Sequence, residues 1–249
     1  MVDVWLPFLW FVALLVALVW LKREINSRLL HMAWLLFNHE QAAVLLYFVI
    51  ILPGVLVHEI SHLVVATLLG VRAGGLSLRP AVRRDGLQLG SVQVARTDFA
   101  RESLIGLAPL IGGSLVVLLI ASLGFEIPLQ GNGDVAGRLT TVAHDASNLL
   151  RQPYAPFWLY LIFAISNAML PSPSDRQPWQ TLVVFVGIVA AALFFLNGGL
   201  PRIPDNWAAG IVRAIDLLAL AFAFTLLVDL VFISGILLAE QTLVALRGS

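Results

Sequence analysis

Residues 53–66 read Pro-Gly-Val-Leu-Val-His-Glu-Ile-Ser-His-Leu-Val-Val-Ala, an apolar stretch that is interrupted by a cluster of polar side chains. This stretch lies inside a longer apolar segment, Ala42–Leu69, which exceeds the roughly 20 residues that a helix needs to cross a bilayer. With about 3.6 residues per helical turn, His58 and His62 lie on one face of such a helix. The segment therefore predicts a membrane-spanning helix with two neighbouring imidazoles.

The composition of the whole chain agrees with a membrane protein. Of its 249 residues, 59% are apolar and 12% are charged, against roughly 45–50% and about 25% in ordinary soluble domains. Besides Ala42–Leu69, we interpret the following apolar segments as spans: Val4–Leu21, Leu104–Leu123, Ala155–Leu170, Thr181–Leu196 and Val212–Leu238. We predict an all-α polytopic protein with about six transmembrane helices, integral to the plasma (inner) membrane.

The segments between the spans differ in character. Lys22–Gln41 has apolar residues at helical spacing beside polar ones, which is typical of an interfacial helix. Val71–Arg101 alternates polar and apolar residues and contains Asp85-Gly86, which predicts a small β-hairpin after the histidine helix. Gly124–Pro153 is interpreted as a polar loop. We expect three regions: residues 1–41, a core at 42–175, and two spans in 176–249.

Charge and cysteine content exclude several classes of function. Fifteen Lys+Arg balance fifteen Asp+Glu, so there is no basic excess for nucleic acid. No segment is long enough for a nucleotide-binding module, and we expect no nucleotide partner. Cysteine is absent, so any metal must be held by histidine and carboxylate side chains.

The pattern His58-Glu59-Ile60-Ser61-His62 points to metal chemistry. An ionisable side chain near the bilayer centre costs at least about 2.5–3.5 kcal/mol, and a bound cation would compensate three such groups within one short segment. Zinc lowers the pKa of its bound water toward about 7. Glu59, next to the first histidine, is in position to take the proton from that water.

A third protein ligand is expected, because a catalytic zinc usually has three protein ligands and a water molecule. Asp175 is one candidate, since Pro171 and Pro173 before it forbid regular helix and turn the chain back. Asp229, within the last predicted span, is the other candidate. Asp229 is alternatively a buried carboxyl group bonded to Ser234 or to another helix.

These residues resemble the site-2 protease family of intramembrane metalloproteases, in which an H-E-x-x-H helix faces a later Asn, Pro, Asp motif. The likeness runs from about Pro53 to Asp175 and includes the regions 70–78 and 106–110. It implies that Asp175 is the third zinc ligand and that Asn167 lies beside the substrate. Family members commonly have Pro three residues after the Asn and Gly directly after the Asp. Here Pro171 is four residues after Asn167, and Arg176 follows Asp175.

The expected function is that of a zinc metalloendopeptidase that cuts transmembrane or membrane-associated protein substrates within the bilayer. Two alternatives remain open. One is a transporter or channel in which His58, Glu59, His62 and Asp229 form a proton or metal pathway. The other is a catalytically silent relative that binds membrane helices without cutting them.

Overall fold

The computed structural model describes residues 5–83, 86–125, 152, 154–197 and 205–247. This part of the chain is mostly helical, with a small β-structure between the second and third helices. Its helices are α1 (Trp5–Phe37), α2 (Glu40–Leu68), α3 (Phe99–Phe125), α4 (Ala155–Met169), α5 (Pro173–Asn197) and α6 (Asp205–Arg247). Nearly all of the predicted loop at 124–153 lies outside the described residues.

Three of these helices, α2, α3 and α6, are long and apolar enough to cross a membrane. The helices α4 and α5 together are a fourth candidate if they count as one span. They meet at a short break, where their axes differ by 53°. The sequence predicted separate spans at 155–170 and 181–196, whereas the described residues there form this single bent pair. The first predicted span, Val4–Leu21, begins outside the described residues and stays a prediction.

The first helix corrects one boundary of the sequence analysis. A span ending at Leu21 and a separate interfacial helix from Lys22 were expected, but α1 runs unbroken from Trp5 to Phe37. The reason is local: residues 8–37 contain no Pro or Gly, and Glu24 pairs with Arg28 one turn later at 2.7 Å. The helix ends at Asn38, which adopts a positive φ of 49°.

The helices α2, α3 and α4 approach one another closely through small residues. A Cβ at Gly54 of α2 would overlap the backbone carbonyl of Ala164 in α4, and a Cβ at Gly112 of α3 would overlap the Ser61 hydroxyl of α2. Small residues at such crossings allow the backbones of membrane helices to come together. As a result α2, which carries both histidines, packs closely against α3 and α4.

The predicted hairpin is present as two nested antiparallel pairs. Strand β1 (Ala73–Ser77) pairs with β4 (Ser91–Val94), and β2 (Ala81–Arg83) pairs with β3 (Gly86–Gln88). Arg83 pairs with Gly86, and residues 84 and 85 of the predicted turn lie outside the described part. The hairpin returns to α2 at Gly90, where a Cβ would stand 2.8 Å from a carboxylate oxygen of Glu59.

The start of α3 is fixed by capping interactions. Asp98 accepts a hydrogen bond from the Arg101 backbone N–H at 3.0 Å, and Glu102 accepts one from the Thr97 backbone N–H at 3.1 Å. The Arg101 N–H holds the pKa of the exposed Asp98 carboxyl below its usual value. These contacts set the register of a helix that supplies one carbonyl to the site below.

Candidate metal centre

Three side chains from two helices converge at one point. His58 and His62 lie on adjacent turns of α2, and Asp175 lies in the first turn of α5. The two Nε2 atoms are 3.2 Å apart, and Asp175 places one carboxylate oxygen 3.5 Å from His58 Nε2 and the other 3.4 Å from His62 Nε2. This group could hold a metal ion.

The separations fit a small tetrahedral ion. Zinc binds imidazole nitrogen and carboxylate oxygen at about 2.0–2.2 Å, which at tetrahedral angles places ligand atoms roughly 3.3–3.6 Å from each other. The observed values of 3.2, 3.4 and 3.5 Å lie at or close to this range. The two histidine–aspartate distances, 3.5 and 3.4 Å, exceed the usual 2.7–3.2 Å of an N–H···O hydrogen bond. The carboxylate is therefore placed better for sharing an ion than for binding either imidazole directly.

The outer nitrogens of the two imidazoles fix which ring atoms face the centre. His58 Nδ1 lies 2.7 Å from the Ala168 carbonyl oxygen of α4, and His62 Nδ1 lies 2.9 Å from the Ile105 carbonyl oxygen of α3. A carbonyl only accepts, so each Nδ1 carries a hydrogen and donates it, and in the neutral tautomer with this bond the lone pair is on Nε2. In that tautomer two lone pairs and a carboxylate face one another, an arrangement that a cation stabilises.

The break between α4 and α5 directs Asp175 toward the histidines. Its carboxylate accepts hydrogen bonds from the Ser172 backbone N–H at 2.8 Å and from the Ser172 hydroxyl at 2.6 Å. On the other side, Gly106 of α3 lies so close that a Cβ there would overlap the Asp175 carbonyl oxygen. The position of Asp175 therefore depends on the proline break, on Ser172 and on the absence of a side chain at residue 106.

Glu59 lies beside the centre and is not one of the converging ligands. Its side chain is only 6% exposed, and the hairpin covers it at Gly90. Together with His58, His62 and Asp175 it lines a cavity of about 1050 Å³. The hairpin segment Leu87–Val92 forms another part of the wall, so the carboxylate and the three potential ligands share one space with a strand-forming segment.

The remaining candidates of the sequence analysis lie nearby in different roles. Asn167 of α4 lines the same cavity and is buried. Asp229 of α6 is not in the converging group; it accepts a hydrogen bond from Ser166 of α4 at 2.9 Å. Ser234 instead donates to the Leu230 carbonyl, so the partner of Asp229 is on another helix and is not Ser234.

Several residues of the site were not predicted. The carbonyl groups of Ile105 and Ala168 leave no mark in the sequence, because any residue has one. Ser172 had a usable signal: a serine three residues before an aspartate at a helix start is a typical partner for local hydrogen bonding. Lys22 of α1, which also lines the cavity, was assigned to an interfacial helix.

No protein-family model, curated protein or solved structure matches this chain.

Proposed function

We propose that this protein is an intramembrane zinc metalloendopeptidase that hydrolyses peptide bonds of transmembrane or membrane-associated proteins. The observation that carries the proposal is the convergence of two imidazole nitrogens and a carboxylate at 3.2–3.5 Å, with a separate buried Glu59 beside them. Two histidines and one carboxylate are a donor set of catalytic zinc. The resemblance of the H-E-x-x-H helix and the Asn167 to Asp175 segment to site-2 proteases supports the same activity.

Each side chain has a definite role in this proposal. His58, His62 and Asp175 hold the ion. When bound, zinc supplies a Lewis acid that lowers the pKa of water toward about 7 and polarises the scissile carbonyl. Glu59 accepts a proton from the attacking water and delivers it to the nitrogen of the leaving amine. The carbon–nitrogen bond breaks, and a carboxylate and an amine result.

The hairpin suits the handling of the substrate. A transmembrane helix hides its carbonyls in intrahelical hydrogen bonds, so it must unwind before a peptide bond can be attacked. Each hairpin pair is two-stranded, which leaves strand edges for an extended segment, and Leu87–Val92 already lines the cavity of the centre. Addition of the unwound substrate to such an edge would fix its backbone near Glu59.

The location proposed for this reaction is a cell's plasma (inner) membrane. Three described helices, or four with the bent pair, are able to span a bilayer. The residues that carry the chemistry lie on α2 and at the start of α5, within this set of helices. A substrate that is itself membrane-embedded would meet the centre without leaving lipid.

The test compares Glu59→Gln with wild type, both purified in detergent without chelators. Metal content is measured by mass spectrometry, and cleavage is followed on a panel of labelled single-span peptides. We expect about one zinc per chain in both proteins and a loss of cleavage of about 10²–10⁴-fold in the variant. Glu40→Gln, an exposed change on the same helix, is the matched control and should cut normally.

Other results would argue against the proposal. Wild type that contains zinc yet cuts no peptide of the panel would favour the silent relative. Metal flux across sealed vesicles, with no cleavage, would favour the transporter. That alternative placed Asp229 in the pathway, whereas Asp229 accepts a hydrogen bond from α4 and is not part of the converging group.

A further inference from the structure

A second polar cluster is buried between α4 and α6, beside the centre. Asp229 is 2% exposed, and Ser166 and Asn167 are equally enclosed. The Ser166 hydroxyl lies 2.9 Å from Asp229 Oδ1, and the Asn167 amide nitrogen lies 3.4 Å from the same oxygen. The mechanism proposed above does not use Asp229, so its burial inside a membrane helix requires a different explanation.

The surroundings of Asn167 fix the orientation of its amide. The nitrogen donates to the Phe163 carbonyl at 2.8 Å and faces the Asp229 carboxylate oxygen. The nitrogen also lies 3.3 Å from the Ser166 hydroxyl oxygen. All three neighbours accept hydrogen bonds from the NH₂ end of the amide and so turn the oxygen away from them. Asp229 is therefore one of three groups that determine where the Asn167 oxygen points.

The Asn167 oxygen is left with an unused acceptor. It is buried, and no hydrogen-bond partner for it exists among the described residues. A buried acceptor without a partner is costly unless something else supplies a donor. Asn167 lines the cavity that contains Glu59 and the three potential metal ligands. A backbone N–H of an extended peptide bound in this cavity would be a suitable donor for that oxygen.

We propose that Asp229 is a positioning residue: it holds the Asn167 amide so that its oxygen accepts a backbone N–H of the bound peptide substrate. This inference rests on the proposed function. It assigns to Asp229 an effect on substrate binding and none on metal binding, because Asp229 contacts the Asn167 side chain while His58 is held by the backbone carbonyl of Ala168.

The experiment uses Asp229→Leu, Asp229→Asn and Thr225→Val in the full chain, with the single-span peptide that wild type cuts best as the probe. We expect Asp229→Leu to raise KM about tenfold, the loss of one well-placed hydrogen bond, with kcat and zinc content changed less than about twofold. Asp229→Asn should restore KM to near wild type, since its amide oxygen can still accept from Asn167.

Thr225→Val is the matched control for packing of α6. Thr225 lies one turn before Asp229, is fully buried, and its hydroxyl has no partner among the described residues. The isosteric change should leave KM, kcat and zinc unchanged. If Asp229→Leu does not fold, Asp229→Ala replaces it with the same expected result, since it removes the carboxylate without adding bulk.

A double-mutant cycle tests whether Asp229 acts through Asn167. Asn167→Ala should raise KM as much as Asp229→Leu, and the double variant should be no worse than either. Additive effects would overturn the inference, as would an unchanged KM in Asp229→Leu or a parallel loss of zinc. A wild type that cuts no peptide overturns the proposed function as well, which distinguishes the two failures.

Discussion

Among the residues that the structure describes, two groups place histidine beside carboxylate, and they differ in how the imidazole is used. In the first, His58 and His62 turn Nδ1 to backbone carbonyls and leave Nε2 3.4–3.5 Å from Asp175. In the second, between α1 and α6, His31 Nδ1 meets Glu240 directly at 2.5 Å. Arg28 meets the other oxygen of Glu240 at 3.0 Å.

This difference distinguishes a potential metal site from an ion pair. At Glu240 the carboxylate is already matched by donors on α1, and Arg28 is also paired with Glu24, so the group needs no further partner. At Asp175 the carboxylate oxygens lie 3.4 and 3.5 Å from the two imidazole nitrogens, which is longer than a usual N–H···O hydrogen bond. Residue type alone does not separate the two cases; the outer partner of each imidazole does.

The largest expected effect is the removal of one imidazole from the first group. His58→Ala should abolish both zinc binding and peptide cleavage, because two remaining protein ligands do not hold a catalytic zinc. His31→Ala is the matched control and should retain the metal, since its carboxylate partner belongs to the α1–α6 ion pair. Metal analysis of both proteins after dialysis is the measurement; zinc loss in His31→Ala alone would reverse the comparison.

The next effect concerns the residue that orients Asp175. Ser172→Ala removes the hydroxyl that lies 2.6 Å from the carboxylate, and partners of this kind typically contribute 10–100-fold to metal affinity. We expect zinc affinity to fall by about tenfold or more in competition with a chelating dye. Ser234→Ala, which removes a hydroxyl that donates to the Leu230 carbonyl of its own helix, should bind zinc as wild type does. Equal affinities in both variants would mean that Ser172 does not orient the ligand.

A third change tests whether displacing Glu59 lowers activity without affecting the metal ligands. Gly90→Ala places a Cβ 2.8 Å from a Glu59 oxygen, a distance at which something must shift. We expect kcat to fall about tenfold while zinc content stays unchanged, because the displaced group is the proton acceptor and not a ligand. Gly75→Ala is the matched control in the same hairpin, since a Cβ there meets nothing within 4 Å. Loss of zinc in Gly90→Ala would mean that the hairpin supports the ligands themselves.

The same residues show which parts of the site could be predicted from the sequence. The spacing of His58 and His62 predicted a shared helix face, and the prolines at 171 and 173 predicted a helix break before Asp175, although the chain there bends by 53° and does not turn back. Local patterns of this kind are sufficient because they involve residues a few positions apart. The residue patterns left Asp175 and Asp229 as alternatives, and only the family resemblance favoured Asp175, because the choice depends on which faces of α5 and α6 meet α2. Backbone carbonyls that fix the imidazoles are equally invisible, since they come from other helices.

The smallest effect is expected at the second group. Glu240→Gln removes the charge that pairs with Arg28 and His31 but leaves Arg28 its contact with Glu24. Arg28 and His31 are partly exposed, and exposed ion pairs contribute little to stability. We expect zinc content and cleavage to be unchanged and the thermal midpoint to fall by less than about 4 °C. The fall should shrink at high salt, because salt screens the pair in wild type. A large, salt-independent loss of stability would show that the α1–α6 contact depends on Glu240 as a buried group. Any loss of zinc would show that the Glu240 group affects the metal centre, contrary to the expectation from their separate contacts.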